Sequence, residues 1–282
     1  VYSTKINTPL FATTLIAMDL FRLFVLSITL VYAASVAAGS RVITVAGDDW
    51  CPVNCSEKSV DKGFMIDAAT QILALEGYTV NYIEMPWTRA IKLARDGEID
   101  AVVGAFEGDA PDFVFSNSPL LYLSPNSLFV KSDTEWEYNG ISSLNDVRLG
   151  VISGYDYGAV MNDYIRSRLF YDNNRMIQVF GDNATKRNID LLRLGRVDVI
   201  VENAIVFWYQ VADDGDANRF REVSTGDSPK ACHIAFSPVI KDANELVNAF
   251  DRGYHRLQQQ QTLQSIAEKY SIDKKYLSPA YQ

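Results

Sequence analysis

The chain has 282 residues, 48% hydrophobic and 22% charged, which is the mix of an ordered globular protein long enough for about two domains, not of a disordered tail or a fibre. A formal net charge of −9 argues against nucleic acid or anionic lipid as the main partner. With only two histidines, His233 and His255, neither a His-based metal centre nor a Ser-His-Asp triad is expected.

The N-terminal stretch stands outside the expected fold. Arg22 precedes an apolar run, residues 23–36, that leads into the small residues Ala37-Ala38-Gly39. A basic flank, a short apolar stretch and a small-x-small exit are the pattern of a secretory signal peptide, expected over residues 1–38. The alternative is a transmembrane anchor, for which the run is short against a span of about 20 residues. Met18 is the expected translation start, which would make residues 1–17 a misassigned extension. Export also licenses disulfides.

Residues 41–46 alternate and are β-branched, predicting a first strand. A long loop follows, then a helix from Gly63 to Glu76 with Gly77 as its stop. Strand 79–85, a helix opening at Pro86-Trp87-Thr88, with Thr88 as cap, and the continuous apolar strand 99–105 complete a β-α-β-α-β run. Residues 120–130 look like one long strand. A second α/β run then follows: strand 148–152, a helix over 159–169, strand 178–180, helix 183–194, apolar strand 197–201 and helix 203–211. Strand 230–236 and a helix over 244–261 lead to the C-terminus. The pattern predicts an α/β fold of two lobes joined by two hinge strands: residues 39–130, 131–230, and 231–282 packing back on the first lobe. Ligands of open α/β sheets sit beyond the carboxyl ends of the strands, so a cleft between the lobes is expected.

Cys51 and Cys55, four apart in a turn-forming loop, suit a local disulfide, with a metal or redox pair as the alternative. The spacing is not that of a CxxC redox pair. Cys232-His233 could complete a zinc site, but Cys232 reads better as a buried thiol in a strand.

The order Gly63-Phe64-Met-Ile-Asp67, Pro86-Trp87-Thr-Arg89-Ala, Asp96-Gly97-Glu-Ile-Asp100-Ala-Val-Val-Gly104 and Phe115-Ser116-Asn-Ser-Pro119 resembles the family-3 extracellular solute-binding proteins of polar amino-acid ABC importers. In the second half, Leu144-Asn-Asp-Val-Arg-Leu-Gly150-Val-Ile-Ser153-Gly154 and Leu194-Gly195-Arg196-Val-Asp198 agree. The resemblance covers nearly all of residues 41–282. It implies a type II periplasmic-binding-protein fold, a periplasmic location in a Gram-negative bacterium, a monomer, a small polar solute as ligand and an inner-membrane ABC permease as partner. It implies no cofactor, no metal and no catalysis. The family's Arg for a ligand α-carboxylate has no match in Ala105-Phe106-Glu107-Gly108-Asp109, and its Asp for the ammonium is met by Glu202 or Asn203, of which Asn203 fits the spacing better.

The candidate ligand residues follow from these positions: Asp49 and Trp50 after the first strand, Trp87 and Arg89 at a helix start, Phe106 and Glu107 at the end of a buried strand, Ser153 and Tyr155 before a second-lobe helix whose free N–H groups suit an acid, and Asn203. With Asp48, Asp49, Glu107 and Asp109 near the cleft and the Arg gone, a zwitterionic or cationic ligand is expected. The alternatives are a ligand-presenting sensory partner of a membrane receptor and a dehydratase-type enzyme on the same scaffold.

Overall fold

The computed structural model describes residues 40–124, 127–171, 175–226 and 228–278, together with Tyr2. The expected signal peptide over residues 1–38 and the start at Met18 lie outside the described residues. Among the described residues no helix is long and apolar enough to cross a membrane.

The first sheet is built from β1 (Arg41–Gly47), β2 (Tyr78–Glu84), β3 (Ala101–Ala105), β4 (Val114–Phe115), β5 (Leu121–Leu123) and β11 (Lys230–Phe236). Its order is β2-β1-β3-β11-β4, with β5 beside β11. β1 and β3 run parallel, and β11 is antiparallel to β3, β4 and β5. The second sheet has the order β10-β6-β9-β7-β8, from β6 (Ser127–Lys131), β7 (Leu149–Ile152), β8 (Met176–Val179), β9 (Val199–Glu202) and β10 (Phe220–Ser224). Here β7 lies parallel to β8 and β9.

β6 is hydrogen-bonded to β9 and β10, so the change of sheet falls before Ser127 and not after Val130. Leu120 to Val130 reads as one strand because its apolar character is unbroken, whereas β5 and β6 are separate strands in different sheets. The chain returns to the first sheet between Ser224 and Lys230.

Seven helices cover the sheets among the described residues: α1 (Phe64–Ala74), α2 (Trp87–Arg95), α3 (Ala159–Tyr171), α4 (Ala184–Arg193), α5 (Ala204–Asp213), α6 (Ala243–Gln259) and α7 (Thr262–Lys269). The apolar strands are buried on both faces, as their unbroken runs require. Ala101 and Val103 join Ile43, Phe64 and Phe250 on one side, while Val102 joins Trp87, Ala90 and Ala235 on the other. Val199 and Val201 face Val151 and Ile165, and Ile200 faces Phe129 and Phe207. The last helices pack on the first half. Gly253 of α6 lies so close to α1 that a Cβ there would stand 2.3 Å from the Ile72 carbonyl oxygen.

The two Gly-x-x-Asp segments do the same work in both halves. Asp100 donates its amide to the Thr44 carbonyl at 3.0 Å and accepts the Thr44 N–H on its carboxylate at 2.8 Å. Asp198 repeats both contacts with Arg148, each at 2.8 Å, and takes the Arg148 guanidinium as well. Each Asp thus fixes the register of two parallel strands. Asp100→Ala should lower the stability of the chain by about 1–3 kcal/mol in denaturant melts, the usual worth of a hydrogen bond to a charged group. An unchanged midpoint would refute the register role.

Candidate functional site

Four segments converge at the junction of the two sheets, and each follows the carboxyl end of a parallel strand. β1 leads to Asp48-Asp49-Trp50, β3 to Phe106–Asp109, β7 to Ser153–Gly158, and β9 ends on Glu202. This is where open α/β sheets leave their backbone ends unpaired. The segments border a partly open cavity of about 30 Å³ lined by Asp48, Trp50, Trp87, Gly104, Phe106, Asp109, Tyr155, Asp156, Tyr157 and Glu202. A void of that size takes a water or two, each needing about 10–15 Å³.

Hydrogen bonds cross the cavity from one half to the other. The Tyr155 hydroxyl donates to Asp48 Oδ2. The Asp156 amide donates to Asp109 Oδ1 at 3.0 Å, while Asp109 Oδ2 takes the Phe106 amide at 2.8 Å. The Trp50 indole donates to Glu202 Oε1 at 2.9 Å. Gly108 makes the approach possible: a Cβ there would lie 1.9 Å from Asp156 Oδ2. Asp156 cannot swing aside freely, since its Oδ1 holds Gly158 N and Asn162 Nδ2. The halves are therefore in a closed arrangement.

Trp50 is held by its loop. Its backbone pairs with Asn54 across a one-residue bridge, the Cys51–Cys55 disulfide closes the turn, and Asn54 Nδ2 donates to the Val103 carbonyl at 3.1 Å. Trp50 and Phe106 meet edge to face, with ring centroids 6.5 Å apart. Cys232 is the buried free thiol of β11.

The walls are aromatic and the polar groups acidic. No Lys, Arg or His is among the residues that line the cavity. Burial raises the carboxyl of Asp48 to about 6, against the bond from Tyr155 that favours its ionised form. It raises Asp109 to about 7, against the Phe106 and Asp156 amides, and Glu202 to about 7, against the Trp50 indole. Glu202 is 2% exposed. Its Oε1 accepts from Trp50 and from the Asn203 amide, but its Oε2 is buried with no hydrogen-bond partner. The Thr185 hydroxyl favours the ionised form of Glu202 yet, like Oε2, makes no hydrogen bond of ordinary geometry. Among the described residues no three of His, Cys, Asp and Glu gather closely enough to hold a metal ion.

Of the residues singled out from sequence, Trp50, Trp87, Phe106 and Tyr155 line the cavity. Asp49 and Ser153 are half-buried outside its lining, and Arg89 and Glu107 are exposed. Arg89 is turned out because Trp87, Ala90, Ile91 and Ala94 take the buried face of α2. That helix starts at Trp87 after Pro86, with no side-chain cap, and Thr88 lies inside it. Asn203 is buried, but it caps α5: Oδ1 accepts from Ile205 N at 3.0 Å, and Nδ2 donates to the Ser124 carbonyl at 2.7 Å. Its neighbour Glu202 lines the cavity instead. The signal for Glu202 was a lone charge ending an apolar strand. Asp156 carried no such signal. Of the N–H groups before α3, Ser153 N donates to the Val179 carbonyl, Asp156 N to Asp109, Tyr157 N to Asn162 and Gly158 N to Asp156.

Two α/β halves closing on a cavity at their junction define a two-lobe binding protein. The sequence profile of the bacterial extracellular solute-binding proteins, family 3, matches residues 42–273, and the chain belongs to that family. No curated protein matches the sequence. Among solved structures, the chain resembles an ancestral arginine-binding protein bound to arginine at 20% identity and TM-score 0.66, over 82% of this chain and 99% of that one. An ABC-transporter substrate-binding protein from Streptococcus pneumoniae with bound histidine gives 20% identity and TM-score 0.66, over 81% of this chain and 92% of the other. A histidine kinase sensor domain gives 19% identity and TM-score 0.66, over 82% and 96%.

The raised carboxyls set a pH dependence. Their neutral forms favour the folded, empty protein fully below the unfolded values near 4, and that contribution is lost as pH rises through about 6 to 7. Asp112 and Asp198, held low by Arg95 and Arg148, have already ionised in that window. The thermal midpoint of the ligand-free protein should fall between about pH 4 and pH 7. Glu202→Gln, which keeps the accepting oxygen, should flatten the fall. A midpoint that rises across the window in both proteins would show that the carboxyls are not desolvated.

Proposed function

We propose that this chain is an exported, monomeric solute receptor that closes its two lobes on a small polar ligand and passes it unchanged to an ABC importer of the inner membrane. One observation carries the reading: the bonds that join the halves, Tyr155–Asp48, Asp156–Asp109 and Trp50–Glu202, surround the cavity. Membership of a solute-binding family and likeness to proteins described as binding arginine and histidine support it. Closure is a population shift, so the ligand must bind the closed form better than the open one. The two backbone crossings, between Leu123 and Ser127 and between Ser224 and Lys230, are the hinge.

A sensory partner would close by the same device, and the likeness to a kinase sensor domain keeps that reading alongside transport. The two differ in what docks on the closed form. An enzyme would need an acid and a base at one substrate atom, and carboxyls near neutrality could supply them. The receptor reading requires the ligand to be recovered intact.

Titration with amino acids, amines and organic acids should quench or shift tryptophan fluorescence through Trp50 and Trp87, with the radius of gyration falling in X-ray scattering. Gly108→Ala, which would place a Cβ 1.9 Å from Asp156 Oδ2 in the closed form, should weaken that response by about tenfold or more. Conversion of the bound compound, detected by mass spectrometry, would overturn the receptor reading, as would the absence of any compaction.

A further inference from the structure

The acidic lining has a consequence for the ligand that the family does not supply. Three carboxyl groups meet at the junction, Glu202 buried and Asp48 and Asp109 half-buried, and every hydrogen bond they accept comes from a neutral donor: a tyrosine hydroxyl, an indole or a backbone amide. No cation from the protein reaches the lining. Ionised carboxylates stripped of water cost several kcal/mol each unless a counter-charge is present. Glu202 Oε2 is the sharpest case, a buried acceptor with no hydrogen bond of ordinary geometry and only the neutral Thr185 hydroxyl to favour its charge.

The same site offers an anion no charged donor. Among the described residues the lining has no Arg or Lys, and the amides of Phe106, Asp156, Tyr157 and Gly158 are already donated within the protein. A ligand carboxylate would therefore lie against Asp48, Asp109 and Glu202 without a counter-charge. The rings of Trp50, Trp87, Phe106 and Tyr155 suit an organic cation, whose charge is attracted to aromatic faces and whose carbon atoms fill an apolar wall. A bare metal ion is not matched, since no three ligating groups gather closely enough among the described residues.

We propose that the junction cavity takes the ammonium head of a compact organic amine that carries no carboxylate, held by Glu202 Oε2 and the Asp48 and Asp109 carboxylates and walled by Trp50, Trp87 and Phe106. The proposal rests on the receptor reading above and narrows it. The head is compact because a bulky one would hold apart the Tyr155–Asp48 and Asp156–Asp109 contacts beside the cavity.

The test uses pairs of compounds that differ by one carboxylate: methylamine and glycine, ethanolamine and serine, histamine and histidine, cadaverine and lysine, agmatine and arginine. Each is titrated by calorimetry into the purified protein. At least one amine should bind about tenfold or more tighter than its carboxylate-bearing partner and should release protons on binding near neutral pH. Its affinity should rise between about pH 5.5 and 7.5 as the carboxyls ionise. Glu202→Gln and Asp48→Asn, each checked for an intact melt, should each weaken that amine by about tenfold or more.

A carboxylate-bearing partner that binds as tightly as its amine in every responsive pair would overturn the proposal and leave the receptor reading standing. So would an amine whose affinity survives both substitutions. An organic acid that alone drives compaction would do the same. If no compound of any class compacts the protein, this proposal and the receptor reading fall together.

Discussion

Stripping water from three carboxyl groups at once is the constraint around which the junction is arranged. Asp48 and Asp109 lie on the first half and Glu202 on the second, and in the closed arrangement all three are partly or wholly desolvated, Glu202 most completely. The protein partly offsets this with neutral donors from both sides: Asp109 and Glu202 each take one amide of their own half, and each of the three carboxyls gains a donor from the other half when the halves meet. The empty closed form carries part of the cost as retained protons. A cation that supplied the missing charge would be bound most strongly in the closed arrangement, the differential that a population shift demands.

The sheets make this placement possible. Parallel β1 and β3 in one half, and β7 and β9 in the other, bring four strand ends to one line, and the short segments after them supply the cavity. Asp100 and Asp198 hold those strand pairs in register, so the Gly-x-x-Asp segments belong to the scaffold and leave the chemistry of the site to other residues. Trp50 is braced three ways, by the disulfide, by its bridge to Asn54 and by Glu202, so its ring is presented to the cavity with little freedom to lose on binding.

The fold was largely legible because its signals are periodic and local. Continuous apolar runs mark β3 and β9, and the spacing of Trp87, Ala90, Ile91 and Ala94 marks the inner face of α2. The same spacing turns Arg89 outward, away from the helix N-terminus that suits an anion. The Leu120 to Val130 run hid a change of sheet, since hydrophobicity does not say which neighbour a strand pairs with. The site was less legible because its decisive contacts join distant segments. Asp109 matters through Asp156, which lies 47 positions away in sequence. At Glu202-Asn203, counting along the strand picked the residue that caps the next helix, whereas the capping preference of asparagine points to Glu202 as the one left for the cavity.

β11 sits at the heart of the first sheet, hydrogen-bonded to β3, β4 and β5, yet it is the last strand in the chain. The second sheet, by contrast, is made from one uninterrupted stretch between Ser127 and Ser224. As the polypeptide emerges from a ribosome or a translocation pore, the second half has all its strands before the first half acquires its central one. A chain cut short before residue 230 would therefore hold every described strand of the second sheet and lack the central strand of the first.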